Sequence, residues 1–191
     1  MHRVMGKSTG DAPKQPAITG GYLALAYARA LDSPDTTQNG AIIVPNGDGT
    51  WNDPDCYYGG CNDTPPGILA HQDRLSDREK KYLYVEHSER AAIYECASSG
   101  VPTEDATMYC PWAPCMECAR AIIMSGISRL VVHKERMDLT PERWLGSVHM
   151  ALAMLAESEY TIVEYYSGPV DAEPILVSGR LWSPKTLEFV P

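Results

Sequence analysis

Two short motifs in the sequence bring together residue types that bind metal ions and move protons. The first is His87-x-Glu89, and the second, 28 residues after the histidine, is Cys115-x-x-Cys118. One imidazole and two thiolates can hold a zinc ion on three sides and leave its fourth position to water. A carboxylate two residues from the imidazole is well placed to move protons to and from that water. The motifs therefore predict a catalytic zinc site, with Glu89 as its acid and base.

The proline before the first cysteine places the second motif at the start of a predicted helix. Pro114 suits the first position of a helix, where its missing N–H costs nothing. Cys115 and Cys118 then share one face of the first turn, where the positive end of the helix dipole favours thiolates. His87 and Glu89 also stand where a helix is predicted to begin. We therefore expect two helix N-termini to point at one ion.

Other interpretations of the two motifs remain open from the residues alone. A Cys-x-x-Cys pair can be a redox pair, and a structural zinc site needs a fourth protein ligand. Cys96, Cys110 or His133 could supply that ligand. The complete pattern, with one histidine, its carboxylate and a proline ahead of the first cysteine, favours the catalytic site.

The remaining cysteines carry a weaker signal. Cys56, Cys61 and His71 could form a second, structural zinc site, but their spacing is irregular and buried free cysteines are common. Six cysteines in 191 residues without an apolar signal segment indicate reduced thiols and a cytoplasmic protein.

The charge of the chain restricts its partners. The formal net charge is -9 and the pI is near 5.0, which argues against a nucleic-acid polymer as the main partner, since that needs clustered cations. A small anionic substrate remains compatible, because a few local cations suffice for one phosphate. No apolar run reaches the roughly 18–20 residues that cross a bilayer, so no membrane partner is expected.

Hydrophobic periodicity and breakers predict alternating helices and strands, and hence an α/β fold with helices on both faces of a sheet. The helices are expected at 18–31, 89–97, 115–125 and from Pro141 onward, with a surface helix or ordered loop at 71–84. The strands are expected at 40–44, 106–109, 130–132 and 161–166, with a short one near 56–58. The last two strands should run parallel, and Trp144 should lie in the core.

One domain accounts for most of this length. Residues 1–16 are predicted to be a flexible tail, and residues 17–168 to form the domain that carries both motifs. The extension at 169–191 contains prolines but also apolar runs, so we expect it to pack on the domain or on a neighbouring subunit.

Four segments resemble the cytidine and deoxycytidylate deaminase superfamily, most closely its deoxycytidylate (dCMP) branch. The two zinc motifs, within Glu86–Ile93 and Cys110–Ala119, are highly specific for the superfamily. Ser33–Val44 and the Gly-x-Asn-x-x-Pro-x-Gly-like loop Gly60–Gly67 point to the dCMP branch.

The resemblance implies a three-layer fold with a mixed five-stranded sheet flanked by helices, and a zinc-dependent deaminase domain at 17–168. It implies zinc on His87, Cys115 and Cys118, and Glu89 as the proton shuttle in hydrolysis of dCMP to dUMP and ammonia. It also suggests that Asn62 contacts the sugar, that the chain forms homo-oligomers such as hexamers or dimers, and that dCTP and dTTP act as allosteric effectors.

Several substrate contacts follow less directly. The family usually has alanine where Ser88 stands, so its hydroxyl could contact an altered base, and its backbone N–H could support the base carbonyl. Trp112 is either core or a wall of the base pocket. Arg74, Lys134 and Arg136 are candidate phosphate ligands, although a solvated surface role fits each of them as well.

The alternatives to dCMP share its chemistry. They are a 5-substituted dCMP, dCTP and deoxycytidine, then a nucleic-acid-editing deaminase, and finally a structural zinc module without catalysis.

Overall fold

A mixed sheet of five strands forms the centre of the computed structural model, which describes residues 16–46 and 56–191. The strands are β1 Gly40–Val44, β2 Tyr58–Cys61, β3 Thr107–Tyr109, β4 Arg129–His133 and β5 Ile162–Tyr166. They lie in the order β2-β1-β3-β4-β5; β1 pairs antiparallel with β2 and β3, and β3, β4 and β5 run parallel. The predicted fold class and the parallel last two strands are confirmed.

Seven helices accompany this sheet in the described part of the chain. They are α1 Pro16–Ala30, α2 Gln72–Ser76, α3 Arg78–Tyr84, α4 Ser88–Ser98, α5 Met116–Met124, α6 Lys134–Met137 and α7 Glu142–Ser158. None of the helices described is both long and apolar enough to cross a membrane.

Alternating side chains of the strands supply two separate cores. In β4, Leu130 and Val132 join the core formed with α4, α5 and α7, whereas Val131 joins the core formed with α1. In β1, Ile43 faces the first core and Ile42 the second. Successive side chains of a strand point to opposite faces, so a sheet buried on both faces needs apolar residues at every position. Residues 41–44 of β1 and 130–132 of β4 meet this need.

Two glycines allow helices to approach the sheet closely. A Cβ atom on Gly40 would lie 2.5 Å from the backbone nitrogen of Ala30 in α1, and one on Gly60 would lie 2.6 Å from that of Ala92 in α4. Real side chains do not tolerate such distances. Close packing of α4 on β2 in turn sets the position of the start of α4, where His87 lies.

The C-terminal extension forms a second sheet. Its strands, β6 Ile175–Val177, β7 Arg180–Ser183 and β8 Glu188–Phe189, pair antiparallel in sequence order. Ile175, Val177 and Trp182 are buried against α1, and Gln38 exchanges two hydrogen bonds with the backbone of Leu176. The extension therefore packs on the domain of its own chain.

Some local predictions differ from the structure. Residues 1–15 of the predicted tail lie outside the described residues, and Pro16, its last residue, begins α1. Pro114 is not the first residue of a helix, because Cys115 caps α5, and Pro141 itself caps α7. Arg136, expected to be a phosphate ligand or a solvated surface cation, lies fully buried in the short helix α6, with its guanidinium 4.5 Å from the ring of Trp112.

Candidate active site

Three metal-binding side chains converge between the starts of α4 and α5. His87 is the N-cap of α4 and Cys115 is the N-cap of α5, both with extended backbone, and Cys118 lies in the first turn of α5. The Nδ1 atom of His87 lies 3.5 Å from the Cys115 sulfur and 3.6 Å from the Cys118 sulfur. The ligand atoms of all three residues lie within 4.8 Å of one another. Two helix N-termini do meet at one point, as the motifs predict.

These distances fit a zinc ion. Tetrahedral zinc with Zn–N near 2.1 Å and Zn–S near 2.3 Å places nitrogen and sulfur about 3.6 Å apart, close to the separations between His87 and the two sulfurs. Among the described residues, these three form the only group of His, Cys, Asp or Glu residues close enough to hold an ion. The protein therefore offers three ligands and leaves the fourth position open.

The two thiols hold their protons very differently. The hydrogen bond from Cys118, together with the contact with His87, lowers the pKa of the Cys115 thiol to about 3. The pKa of Cys118 is raised, because a second negative charge beside Cys115 and away from water is unfavourable. Burial by itself lowers the pKa of His87, but Cys115 and the charge of Glu89 outweigh burial and raise it. A cation would allow both thiols to ionise.

A positive charge already stands beside the second thiol. Arg90, in the first turn of α4, donates to Glu86 over 2.6 Å and to Glu117 over 3.0 Å, and its guanidinium lies 3.7 Å from the Cys118 sulfur. Glu86 also accepts the backbone N–H of His87. The arginine thereby connects the two helix starts and favours a thiolate at Cys118.

Glu89 lies in the first turn of α4 and lines a cleft that also contains His87 and Cys115. Its side chain is almost completely buried, and burial raises the pKa of its carboxyl group. Its Oε2 atom accepts a hydrogen bond of 3.1 Å from the hydroxyl of Ser88. A buried carboxyl group with a raised pKa is suited to accept a proton and to return it during a reaction.

The structure places Ser88 away from the cleft lining, contrary to the expected base contact. Ser88 is fully buried. Its backbone N–H donates to the Asn62 side-chain oxygen over 3.0 Å, and its hydroxyl accepts from Asn39 over 2.9 Å. Asn62 does line the cleft, but it also donates to the backbone oxygen of Thr37. The amide of Asn62 thus holds the start of α4 and retains one N–H for a ligand.

Residues from distant parts of the sequence complete the cleft. The lining residues outside the two motifs are Asp35, Thr37, Asn39, Asn62, Lys81, Tyr82, Val85, Trp112, Ala113, Arg143, Trp144 and Val148. The ring of Trp144 lies 5.8 Å from that of His87 and 5.8 Å from that of Tyr82, in edge contacts. The expectation that Trp144 belongs to the core is wrong, since its half-buried ring forms a cleft wall. Trp112 lines the cleft as well.

Two cations face this cleft from opposite elements. Lys81 of α3 pairs with the buried carboxylate of Asp35 over 2.6 Å. Arg143, in the first turn of α7, is exposed and has no ion-pair partner in the described part of the chain. The structure does not bring Arg74 to the cleft; its guanidinium donates to the backbone oxygen of Leu69 and stacks 4.3 Å from the ring of Tyr84.

Comparison with known proteins identifies the family of this site. The family model described as "Cytidine and deoxycytidylate deaminase zinc-binding region" matches residues 22–134, more than half of the chain. The chain belongs to this family. The predicted family and its zinc cofactor are thereby confirmed, and His87, Cys115 and Cys118 all lie inside the matched region.

Individual deaminases of the family resemble the chain over different lengths. Deoxycytidylate deaminase of Enterobacteria phage T4 is 36% identical over 91 residues, which are 48% of this chain and 46% of that protein, so the match spans about half of the phage enzyme. Deoxycytidylate deaminase of Mus musculus is 29% identical over 147 residues, 73% of this chain and 78% of that protein.

A crystal structure shares the deaminase fold. The dCMP deaminase of cyanophage S-TIM5, solved in complex with dCMP and dUMP, has a TM-score of 0.60 and 21% identity, covering 80% of this chain and 99% of that one. At this identity the likeness concerns the fold alone.

A second zinc site does not form among the described residues of this chain. Cys56 contacts the hydroxyl of Tyr58, and Cys61 lies in β2, where burial raises the pKa of its thiol to about 11. His71 caps α2 and joins neither of them in a metal-binding group.

Proposed function

We propose that this chain is a zinc-dependent hydrolase that deaminates dCMP to dUMP and ammonia. The observation that carries the proposal is the position of Glu89, which lies buried in a cleft beside three metal ligands. A structural zinc site has no use for such a carboxylate, nor for an open fourth position. Cys96, Cys110 and His133 do not join the three ligands among the described residues.

The protein's own groups divide the reaction between them. His87, Cys115 and Cys118 hold the zinc ion, which when bound supplies Lewis-acid activation of a water molecule. Glu89 takes one proton from that water and gives it to the ring nitrogen next to the amino-bearing carbon. The water oxygen bonds to this carbon, Glu89 carries the second proton to the amino nitrogen, and ammonia leaves. The ring keeps the carbonyl oxygen and one N–H, so atoms and protons balance.

Two features support a small nucleotide as the substrate. The relatives above are named deoxycytidylate deaminases, and this chain shares their zinc-binding region. Arg143 has no ion-pair partner among the described residues and places positive charge at a cleft of an otherwise acidic protein, which suits one phosphate group better than a nucleic-acid polymer. Lys81 stands at the same cleft and shares its charge with the carboxylate of Asp35. We assign the phosphate to these two residues in place of Arg74, the sugar to Asn62, and the base to the two tryptophans that line the cleft, Trp112 and Trp144.

A comparison of substrates tests the proposal. Zinc-loaded protein is incubated with dCMP, deoxycytidine, dCTP, CMP, a 5-substituted dCMP and single-stranded DNA, and ammonia release is measured. We expect dCMP to give the highest kcat/KM. The buried hydroxyl of Ser88 offers no contact to a substituent on the base, so we expect plain cytosine to be preferred. A higher kcat/KM for a 5-substituted dCMP would contradict this choice of base. Absence of turnover with every compound would refute the proposal that the chain is a deaminase.

Assembly and regulation belong to the same proposal. We expect a cytoplasmic homo-oligomer, a hexamer or dimer, that responds to dCTP and dTTP. Light scattering gives the mass of the assembly, and dCMP turnover with each triphosphate gives the regulation. A monomer with unchanged kinetics in the presence of both nucleotides would contradict this part alone.

A further inference from the structure

A chain of hydrogen bonds runs from the loop before β1 to the carboxylate of Glu89. The side-chain nitrogen of Asn39 donates to the Ser88 hydroxyl over 2.9 Å, and that hydroxyl donates to Glu89 Oε2 over 3.1 Å. The same nitrogen of Asn39 also lies 3.3 Å from the sulfur of Cys110. Asn39, Ser88 and Glu89 are all buried, at 3%, 0% and 3% exposure.

The direction of donation along this chain follows from its two ends. The carboxylate of Glu89 can only accept hydrogen bonds, so the Ser88 hydroxyl must donate its one hydrogen to Glu89. Ser88 then has only lone pairs to offer Asn39, which must present its N–H groups. The backbone around the chain is also fixed, because the Ser88 N–H donates to Asn62 and the Asn39 carbonyl accepts the Asn62 N–H.

We propose that Ser88 is a positioning residue for Glu89, and that Asn39 orients Ser88 for this role. Resting on the proposed deamination, the inference assigns each carboxylate oxygen a task. Oε2 is held by Ser88, and Oε1 exchanges protons with water and the base. A general base that must reach two proton sites in turn depends on a fixed starting orientation. Ser88 does not line the cleft, and its hydrogen bonds go to Asn39, Asn62 and Glu89 rather than to the metal ligands.

Ser88→Ala is the direct test, because it removes one oxygen atom from a helix start and introduces a better helix former. We expect kcat for dCMP to fall roughly tenfold, while KM, the Kd for dUMP and the zinc content stay as in wild type. The matched control is Ser98→Ala, the same change at the exposed far end of α4, where the hydroxyl only meets the backbone oxygen of Glu95. Its kcat should not change.

The role of Asn39 is tested by a double-mutant cycle. Asn39→Ala alone should lower kcat, since Ser88 loses its orienting donor. In the Ser88→Ala background the same change should cause no further loss, because Asn39 acts through Ser88. Additive losses in kcat would show that Asn39 acts independently and would overturn its part of the proposal.

The remaining outcomes decide between positioning and structure. Unchanged kcat in Ser88→Ala, or a fall in kcat that only follows zinc loss or a weaker Kd for dUMP, overturns the role of Ser88. In either case wild-type protein is active, so the deaminase proposal stands. An inactive wild type with bound zinc refutes the deaminase proposal and this inference together.

Discussion

At the residue scale, Cys115 and Cys118 differ from the other cysteines in what surrounds them. Their sulfurs face His87 and a helix N-terminus, whereas Cys96 is enclosed in the core, where burial raises the pKa of its thiol to about 12. We expect Cys118→Ser to lose zinc and all deaminase activity. Cys96→Ser is the matched control and should retain about one zinc ion per chain. Zinc retained in the first variant and lost in the second would reverse the assignment.

Trp144 should contribute to substrate affinity. Its ring stands against His87 and Tyr82 at the cleft, where a flat pyrimidine can lie against it. Trp144→Ala is expected to raise KM for dCMP roughly tenfold, the effect of removing one aromatic stacking partner, with a smaller change in kcat. Trp144→Phe retains a ring and should stay near wild type. Steady-state kinetics decide, and an unchanged KM in the alanine variant would remove Trp144 from the substrate site.

The two residues of each motif could be predicted because their chemistry is local. Two or three positions separate the members of each pair, and a helix start brings them together. The sequence holds no such signal for Trp144, which has helical spacing with Val148 and Leu155 and therefore resembles a core residue. Lys81 and Asp35 are 46 positions apart. The role of Ser88 as a partner of Glu89 becomes visible only through its contact with Asn39. These contacts depend on how elements pack.

At the element scale, α3 is held to the domain by few contacts. None of its residues is buried, and two of its side chains reach the cleft, Lys81 at Asp35 and Tyr82 at Trp144. Lys81→Met would leave the buried carboxylate of Asp35 without its cation. We expect this variant to lose about 2 kcal/mol of unfolding free energy and to raise KM for dCMP.

Lys80→Met is the control for this pair. Lys80 is the exposed neighbour of Lys81 on the same helix, so the same loss of charge should change stability by less than about 0.5 kcal/mol. Urea denaturation of both variants measures the difference. Equal stability of the two would show that the ion pair does not anchor α3.

His133 connects the main sheet with the C-terminal sheet and should make stability depend on pH. It accepts from Tyr27 over 2.6 Å and contacts the Gly168 oxygen over 2.9 Å, and burial lowers its pKa although Glu135 lies nearby. The folded state thus binds a proton more weakly than the unfolded state. The contribution of neutral His133 to the free energy of unfolding is fully present above the unfolded pKa of about 6.5. It is lost as the pH falls below that value towards the lower pKa of the folded state.

The His133→Gln variant isolates this effect. Zinc ligands also titrate in acid, but they are the same in both proteins, so the difference between the two stability curves belongs to position 133. We expect thermal melts of the variant to change less between pH 7 and pH 5 than those of wild type. Parallel curves would contradict the assigned pKa shift.

The elements themselves could be predicted where one signal dominated. Apolar runs closed by glycine or proline located β1, β4, α4 and α5 to within a few residues. The three strands β6–β8 were not predicted, because prolines interrupt short apolar runs whose partners are only each other and α1. The helix starts lie two residues after Pro114 and one residue after Pro141, since sequence preference cannot distinguish a cap, or the position before it, from the first helical turn.

At the scale of the whole molecule, the fold brings a metal site to the edge of two cores. The sheet is buried on both faces, and packing of α4 on β1 and β2, and of α5 on α4 and α7, positions the starts of α4 and α5. The meeting of these two helix starts could be predicted from the two sequence motifs, which are typical of the family. The shape of the cleft depends on α3 and α7, which the motifs do not include.

The most direct test of catalysis by Glu89 is ammonia release from dCMP by zinc-loaded wild type and by Glu89→Gln. We expect turnover by wild type and a loss of about 100- to 10,000-fold in the variant, the usual contribution of a general acid and base. Zinc content and dUMP affinity should stay unchanged in the variant. Glutamine is matched in size and can donate to or accept from Ser88, so only proton transfer is removed. Full activity of Glu89→Gln with bound zinc would show that Glu89 is not the acid and base of the reaction.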